Sequence, residues 1–248
     1  VTACNNDSED EECPGYSFFV ESPYNDPVWH PSGDIIGFNH IPIKEINYIN
    51  GYECPNQAQY LFEEDSAGFW LINANGTNQR RILPYMLECP AWSPDGSWIA
   101  FSSGAQIFIM PFDGEQFDTA SIVQLTFEGR NFFPAWSPDG EWIAYDSDAE
   151  SPTGLKFVWK MRINGLSKKR IAYTPDKGET RMPSWGCDFT IVHQRYIGIG
   201  TPELFKMDSS GNSIVRLTQN EFLEDYPKFS PDNQYIVFIS QRGESGLW

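Results

Sequence analysis

An all-β fold of repeated four-stranded antiparallel sheets is what this sequence predicts, and three observations carry it. A Pro-opened string recurs five times: PVWHPSGDIIGF from Pro27, PAWSPDGSWIAF from Pro90, PAWSPDGEWIAY from Pro134, PSWGCDFTIVHQ from Pro183 and PKFSPDNQYIVF from Pro227. The copies lie 63, 44, 49 and 44 residues apart, the kind of fixed period that marks repeat architectures. No segment shows the 3.6-residue apolar period of an amphipathic helix.

The first element of each repeat is a short strand opened by Pro and carrying Trp or Phe. A turn follows. In Ser-Pro-Asp-Gly the Pro fixes φ, the Asp side chain bonds its own backbone, and Gly takes positive φ, which together make a tight hairpin. The second strand, such as WIAF, is apolar on both faces, as expected of a sheet covered on both sides. The third strand appears as FWLINANG, IFIMPFDG, VWKMRING and LFKMDSSG, each with an aromatic (Trp70, Phe108, Trp159, Phe205) six residues before its turn Gly. The fourth is RRIL, VQLT, KRIA and VRLT. Four antiparallel strands per period of about 44 residues is the pattern of β-propeller blades.

Two copies deviate. The fourth has Gly186, Cys187 and Asp188 where the others have Ser, Pro and Asp, so an irregular first hairpin is expected there. The fifth has Asn233 where Gly stands elsewhere, and Asn tolerates the left-handed region. Leu247 and Trp248 match Phe69 and Trp70, so the fifth repeat stops in mid-strand. Either a longer chain completes it and adds a further blade, or YSFFVE (Tyr16 to Glu21) closes a five-bladed ring.

The motif PAWSPDG with IAF, followed by an aromatic strand, a DG turn and RLT, resembles the WD-like repeat of the TolB-type β-propeller family. It covers residues 27 to 248. The resemblance implies a propeller, usually of six blades. It implies less about activity, because such folds serve as periplasmic scaffolds, glycan enzymes and gating domains of peptidases alike.

Composition bounds the function. The 248 residues are 40% hydrophobic and 15% aromatic, enough for a substantial core, and carry a net charge of -17. Binding to phosphate backbones needs clustered cations, so a nucleic-acid partner is not expected. No run approaches the ~18 apolar residues that would span a bilayer. At the amino terminus, VTAC followed by NNDSEDEEC resembles the end of a lipoprotein signal peptide and its acidic tether. That resemblance makes Cys4 the lipidated residue, residues 1–15 a lipobox remnant and tether, and 16–248 one propeller domain. It implies an outer-membrane lipoprotein of the bacterial cell envelope, facing the periplasm or the cell surface, that meets the membrane only through its lipid. Cys13, Cys54, Cys89 and Cys187 remain, an even number suited to an oxidising compartment.

In an up-and-down blade, loops joining the second and third strands share one end with loops joining successive blades. Binding chemistry usually lives on such loops. The first repeat carries there an insertion of about 19 residues, with Tyr48, Tyr52 and Tyr60. The between-blade loops add Arg130, Phe132, Phe133, Arg181, Glu224, Asp225 and Tyr226. Asp26, Cys89, Phe133, Met182 and Tyr226 each precede an opening Pro and are expected around the mouth of a central channel. Tyr, Phe and Arg are enriched at binding hot spots, although aromatics of this kind also pack one blade on the next. Cys54 and Cys89 share this end and are predicted to pair, whereas Cys187 sits at the other end, leaving Cys13 to it by elimination.

Residues 156 to 181 hold eight basic side chains against Asp176 and Glu179, either a seat for an anionic partner or a charged outer strand that discourages edge pairing. The acidic groups EED (Glu63 to Asp65) and DSDAE (Asp146 to Glu150) read as solvated loops. No GxSxG, HExxH, P-loop or dinucleotide-binding pattern occurs, and the three His, at 30, 40 and 193, are few for a channel metal. The expectation is a non-catalytic envelope scaffold, without cofactor or metal, that binds a protein or glycan partner through one end. The alternatives are the propeller of a longer prolyl-oligopeptidase-type hydrolase and a propeller glycan lyase.

Overall fold

The structure is a computed structural model that describes residues 24–48, 58–172, 178–198, 200–230, 232–242 and 246–247. Its contacts group the chain into two compact units, Val1–Pro27 with Ile36–Met86 and Val28–Ile35 with Leu87–Trp248. Among the described residues there are strands, turns and two 3₁₀ turns, Glu64–Ser66 and Thr119–Ser121.

The first unit holds β1 (Tyr24–Trp29), β2 (Ile35–His40), β3 (Ile43–Tyr48), β4 (Ala58–Phe62), β5 (Gly68–Asn73) and β6 (Arg80–Leu83). β1, β2, β5 and β6 form one four-stranded sheet in that order, whose first hairpin tip, Val28–Ile35, groups with the second unit. The insertion forms its own hairpin: β3 and β4 pair antiparallel from Ile43↔Phe62 to Tyr48↔Ala58. His40, where the insertion begins, is buried between the rings of Tyr24, stacked at 4.3 Å, and Trp70, edge-on at 5.3 Å. It is a packing residue.

The second unit contains β7 (Glu88–Trp92), β8 (Trp98–Ser103), β9 (Gln106–Pro111) and β10 (Val123–Gln124), then β11 (Asn131–Trp136), β12 (Trp142–Ser147), β13 (Phe157–Arg162) and β14 (Lys169–Arg170). There follow β15 (Thr180–Trp185), β16 (Thr190–Tyr196), β17 (Pro202–Asp208) and β18 (Val215–Arg216), and finally β19 (Glu224–Phe229), β20 (Ile236–Ser240) and β21 (Gly246–Leu247). They make three four-stranded sheets and one three-stranded sheet, each antiparallel with neighbours in chain order. The blade-like sheets expected from the repeats are present.

The opening strand of each sheet packs on the sheet before it: β11 on β7, β8 and β9, β15 on β11, β12 and β13, and β19 on β15, β16 and β17. This stacking explains the second strands, which are buried on both faces: Ile99, Ala100, Ile143, Ala144, Ile191 and Val192 are fully enclosed. Each Ile or Val among them contributes ~2 kcal/mol of burial. Trp136 adds a polar tie, its Nε1 donating to the Ala91 carbonyl of the preceding sheet at 2.9 Å.

The repeated turn is built as its residues dictate. Ser93 Oγ donates to Asp95 Oδ1 at 2.6 Å and accepts from Trp98 N at 2.9 Å, while Gly96 N closes on Ser93 O. Ser230, Asp232 and Tyr235 repeat these bonds, with Asn233 in the left-handed region at φ 61°. In the first repeat His30 replaces Ser, and its Nδ1 accepts from Ser32 N. The fourth hairpin departs from the others, as its sequence leads one to expect, while keeping a turn. Asp188 Oδ1 still accepts from Thr190 N at 3.1 Å, and Phe189 takes the left-handed place of Gly at φ 63°. Its loop is one residue shorter, since Trp185 faces Ile191 where Trp136 faces Ile143.

Candidate functional site

The residue before each opening Pro is left-handed in all five repeats: Asp26 (φ 50°), Cys89 (51°), Phe133 (54°), Met182 (53°) and Tyr226 (51°). A following Pro excludes the right-handed helical region, and non-Gly residues with positive φ cost on the order of 1–3 kcal/mol. In the second unit the ladder slips at each of these places, between Glu88 and Ala91, Phe132 and Ala135, Arg181 and Ser184, and Asp225 and Lys228. They are β-bulges, which re-aim side chains. The re-aimed positions converge: the rings of Phe133 and Tyr226 meet edge-on at 5.8 Å although a whole sheet, β15 to β18, separates them in the chain.

A collar of charge surrounds this aromatic pair. Arg130 Nε reaches Asp148 Oδ2 at 2.6 Å and its amide reaches Asp148 Oδ1, tying a between-sheet loop to the loop after β12. Loops joining second and third strands thus lie with the between-sheet loops, as the topology requires. Glu179 accepts from the Lys156 amide at 2.8 Å and from Arg181 Nη2 at 2.8 Å. Lys156 Nζ lies 4.0 Å above the Phe132 ring and 4.0 Å from Asp146 Oδ1. Gln194 Nε2 donates to Asp225 Oδ1 at 3.0 Å.

The electrostatics centre on Asp146. It is 0% exposed, with the Lys156 ammonium 4.0 Å from Oδ1 and the Met182 amide also acting on the carboxylate. Burial pushes its pKa up to about 7, with Lys156 pulling the other way. Burial likewise lowers Lys156, opposed by Asp146, and raises Asp225, opposed by the Tyr226 amide. Asp148 goes the other way: burial would raise it, but the Arg130 amide and guanidinium outweigh burial and hold it low.

Of the expected site residues, the structure brings Arg130, Phe132, Phe133, Arg181, Asp225 and Tyr226 to this end of the second unit, with Arg130 and Tyr226 exposed and the other four half-buried. Glu224 is a correction. It is 0% exposed and holds Asn220 Nδ2 at 2.7 Å, Ser240 Oγ at 3.2 Å and Arg242 Nη2 at 2.9 Å, so it clasps structure and faces no partner. Tyr60 belongs to the separate hairpin of the first unit, half-buried opposite Ile46. Tyr48 ends β3, while Cys4, Cys13, Tyr52 and Cys54 lie outside the described residues. So does any Cys54–Cys89 link. Cys187 is exposed at the opposite, turn-bearing end.

Asp146, Lys156 and Glu179 were not expected in the site. DSDAE reads as a solvated loop, yet its first residue lies within a second strand, β12, and is sealed by the next sheet. The signal available was position: Ser102, Asp146 and Gln194 share one place in the repeat, and only Asp146 carries charge there. The arrangement suits recognition, since exposed Arg and Tyr stand on a rigid, bulged rim. Among the described residues no group of three or more His, Cys, Asp or Glu could hold a metal ion, and no helix is long and apolar enough to cross a membrane.

No family model matches the chain. The uncharacterized protein Atu1656 of Agrobacterium fabrum (strain C58) is 27% identical over 195 residues, 69% of this chain and 58% of its own length. Among solved structures, TolB from Acinetobacter baumannii superposes with a TM-score of 0.65 at 19% identity, over 91% of this chain and 51% of that one. A puromycin-hydrolyzing peptidase of Mycobacterium tuberculosis gives 0.61 at 13% identity, over 90% of this chain and 36% of that one. The chain therefore spans little more than half of the first two. At these identities the likeness is one of fold: an all-β, TolB-like assembly of blade-like sheets.

Proposed function

We propose that this chain is a non-catalytic binding module of the bacterial cell envelope. Its sheets close into a propeller, Cys4 carries the lipid that is its one contact with the membrane, and a protein or glycan partner docks on the loop end. The observation that carries this reading is the contrast between the two ends of the second unit. One end repeats the same hairpin, whereas the other gathers unlike residues, Arg130, Phe132, Phe133, Arg181 and Tyr226, on bulges. The TolB-like fold supports a role in binding.

The test is a comparison of wild type with the Arg130→Ala, Tyr226→Ala double variant. Capture of partners from envelope protein and glycan fractions should fall about tenfold or more with the melting temperature unchanged. Undiminished capture would count against the loop end. A second reading, a gating propeller of a longer hydrolase, draws on the likeness to the peptidase, and a GxSxG-bearing segment downstream in the reading frame would favour it. Metal bound by purified protein would favour the glycan-lyase alternative.

A further inference from the structure

A cavity of about 230 Å³ opens in the second unit where the chain leaving β10 meets β12 and β13. Its lining includes Phe127 and Glu128 from the connection between β10 and β11, and Glu150 from the connection between β12 and β13. Tyr145 and Trp159, cross-strand partners on β12 and β13, and Lys168 also line it. The two connections are pressed together: a Cβ added at Gly129 would fall 2.7 Å from the Ala149 amide nitrogen, and Arg130 bonds Asp148 through both backbone and side chain. The cavity is therefore preformed, which reduces the ordering cost of filling it.

The lining brings together unused groups of opposite kinds. Tyr145 is 2% exposed, and burial alone acts on its hydroxyl, raising its pKa with no hydrogen bond to offset it. The Trp159 indole N–H is likewise buried without a hydrogen-bond partner. Buried donors left unpaired are costly and call for a partner. The Glu128 and Glu150 carboxylates are exposed acceptors with no hydrogen bond or ion pair among the described residues. The Lys168 ammonium is already given to the Gly165 carbonyl. An organic cation would answer the carboxylates but offer no acceptor to Tyr145 and Trp159, and an oxyanion would do the reverse. A sugar does both, because each hydroxyl donates and accepts. Its C–H face also suits the negative face of an aromatic ring, and Phe127 lines the cavity while 70% exposed. The volume falls short of the ~300–1,000 Å³ of pockets for drug-sized ligands, which limits the ligand to one sugar ring.

We propose that this cavity binds a single neutral pyranose unit, with Glu128 and Glu150 accepting from its hydroxyls, Tyr145 donating to it and Phe127 against its C–H face. The inference refines the glycan form of the proposed binding role and rests on it, but it does not use Tyr226, so the two are tested apart. The full chain would be titrated with glucose, galactose and N-acetylglucosamine in turn, and with choline, each followed by saturation-transfer NMR. At least one sugar should saturate with a Kd of about 1–10 mM, the weak range open to so small a ligand. The Glu128→Ala, Glu150→Ala double variant, altered only at exposed positions, should bind it about tenfold more weakly. Tyr145→Phe should weaken it about fivefold while the melting temperature holds or rises, whereas a hydroxyl with a structural role would lower it. Tyr226→Ala should bind the sugar as wild type does, whatever becomes of partner capture. No saturable binding of any of the three sugars, choline binding in their place, or affinities unchanged in the Tyr145 and Glu variants would each overturn the proposal.

Discussion

At the scale of single residues, Asp146 and Glu224 show how alike two buried carboxylates can look in sequence and how differently they behave. Glu224 gathers Asn220, Ser240 and Arg242 on one carboxylate oxygen, and Glu224→Ala should cost about 3 kcal/mol; a urea unfolding curve that matches wild type would refute that role. Asp146 has a folded pKa of about 7 against an ordinary 3.8, so the folded state binds the extra proton. Its contribution is favourable at low pH and is lost as pH rises from about 4 to 7, by an amount on the order of a few kcal/mol. His193, buried and held at about 4, has the opposite sign and costs stability as pH falls below 6.5. Because the two offset each other, the informative quantity is the difference in melting temperature between Asp146→Asn and wild type. It should widen in the variant's favour from pH 4 to 7 and level off above. A difference independent of pH would contradict the assignment.

At the scale of elements, the hairpin is what the repeat encodes, and its tolerance is set by one left-handed position. Gly96 sits there at φ 74°, where an added Cβ would come within 2.2 Å of His30 Nε2. Gly96→Ala should therefore destabilise by more than ~1 kcal/mol. Phe189 holds the same position at φ 63° while 43% exposed, and Phe189→Gly should stabilise by about 1 kcal/mol, both measured by denaturant unfolding. Strand order, both hairpins of the repeat and the left-handed Asn233 were legible from sequence because they follow from local turn chemistry and period. The bulges were half legible: their place before Pro was plain, their left-handed backbone was not. Asp146 and Glu224 were illegible as buried groups, since the sheet that seals each lies elsewhere in the chain. The departure of the fourth hairpin was legible in its missing Ser, Pro and Gly; that Asp188 would still hold a shorter turn there was not.

At the scale of the molecule, uniform scaffold and varied surface divide between the two ends of the same sheets. The turns recur because every blade-like sheet needs them, so they carry little information about a partner. The loop end differs from repeat to repeat, and it holds Arg130, Tyr226 and the charge collar around Asp146. On the proposed binding role, the gathering of Arg130, Lys156 and Arg181 toward one end of a protein of net charge -17 would favour a directed encounter there. The most direct measurement is site-specific photo-crosslinking in the native envelope, with the photoreactive residue placed at Tyr226 or Arg130 on the loop end, or at Pro138 on the turn end. Discrete adducts from positions 226 and 130, with none from 138, are the expected result; adducts from 138 alone, or from none of the three, would contradict the loop end as the binding surface.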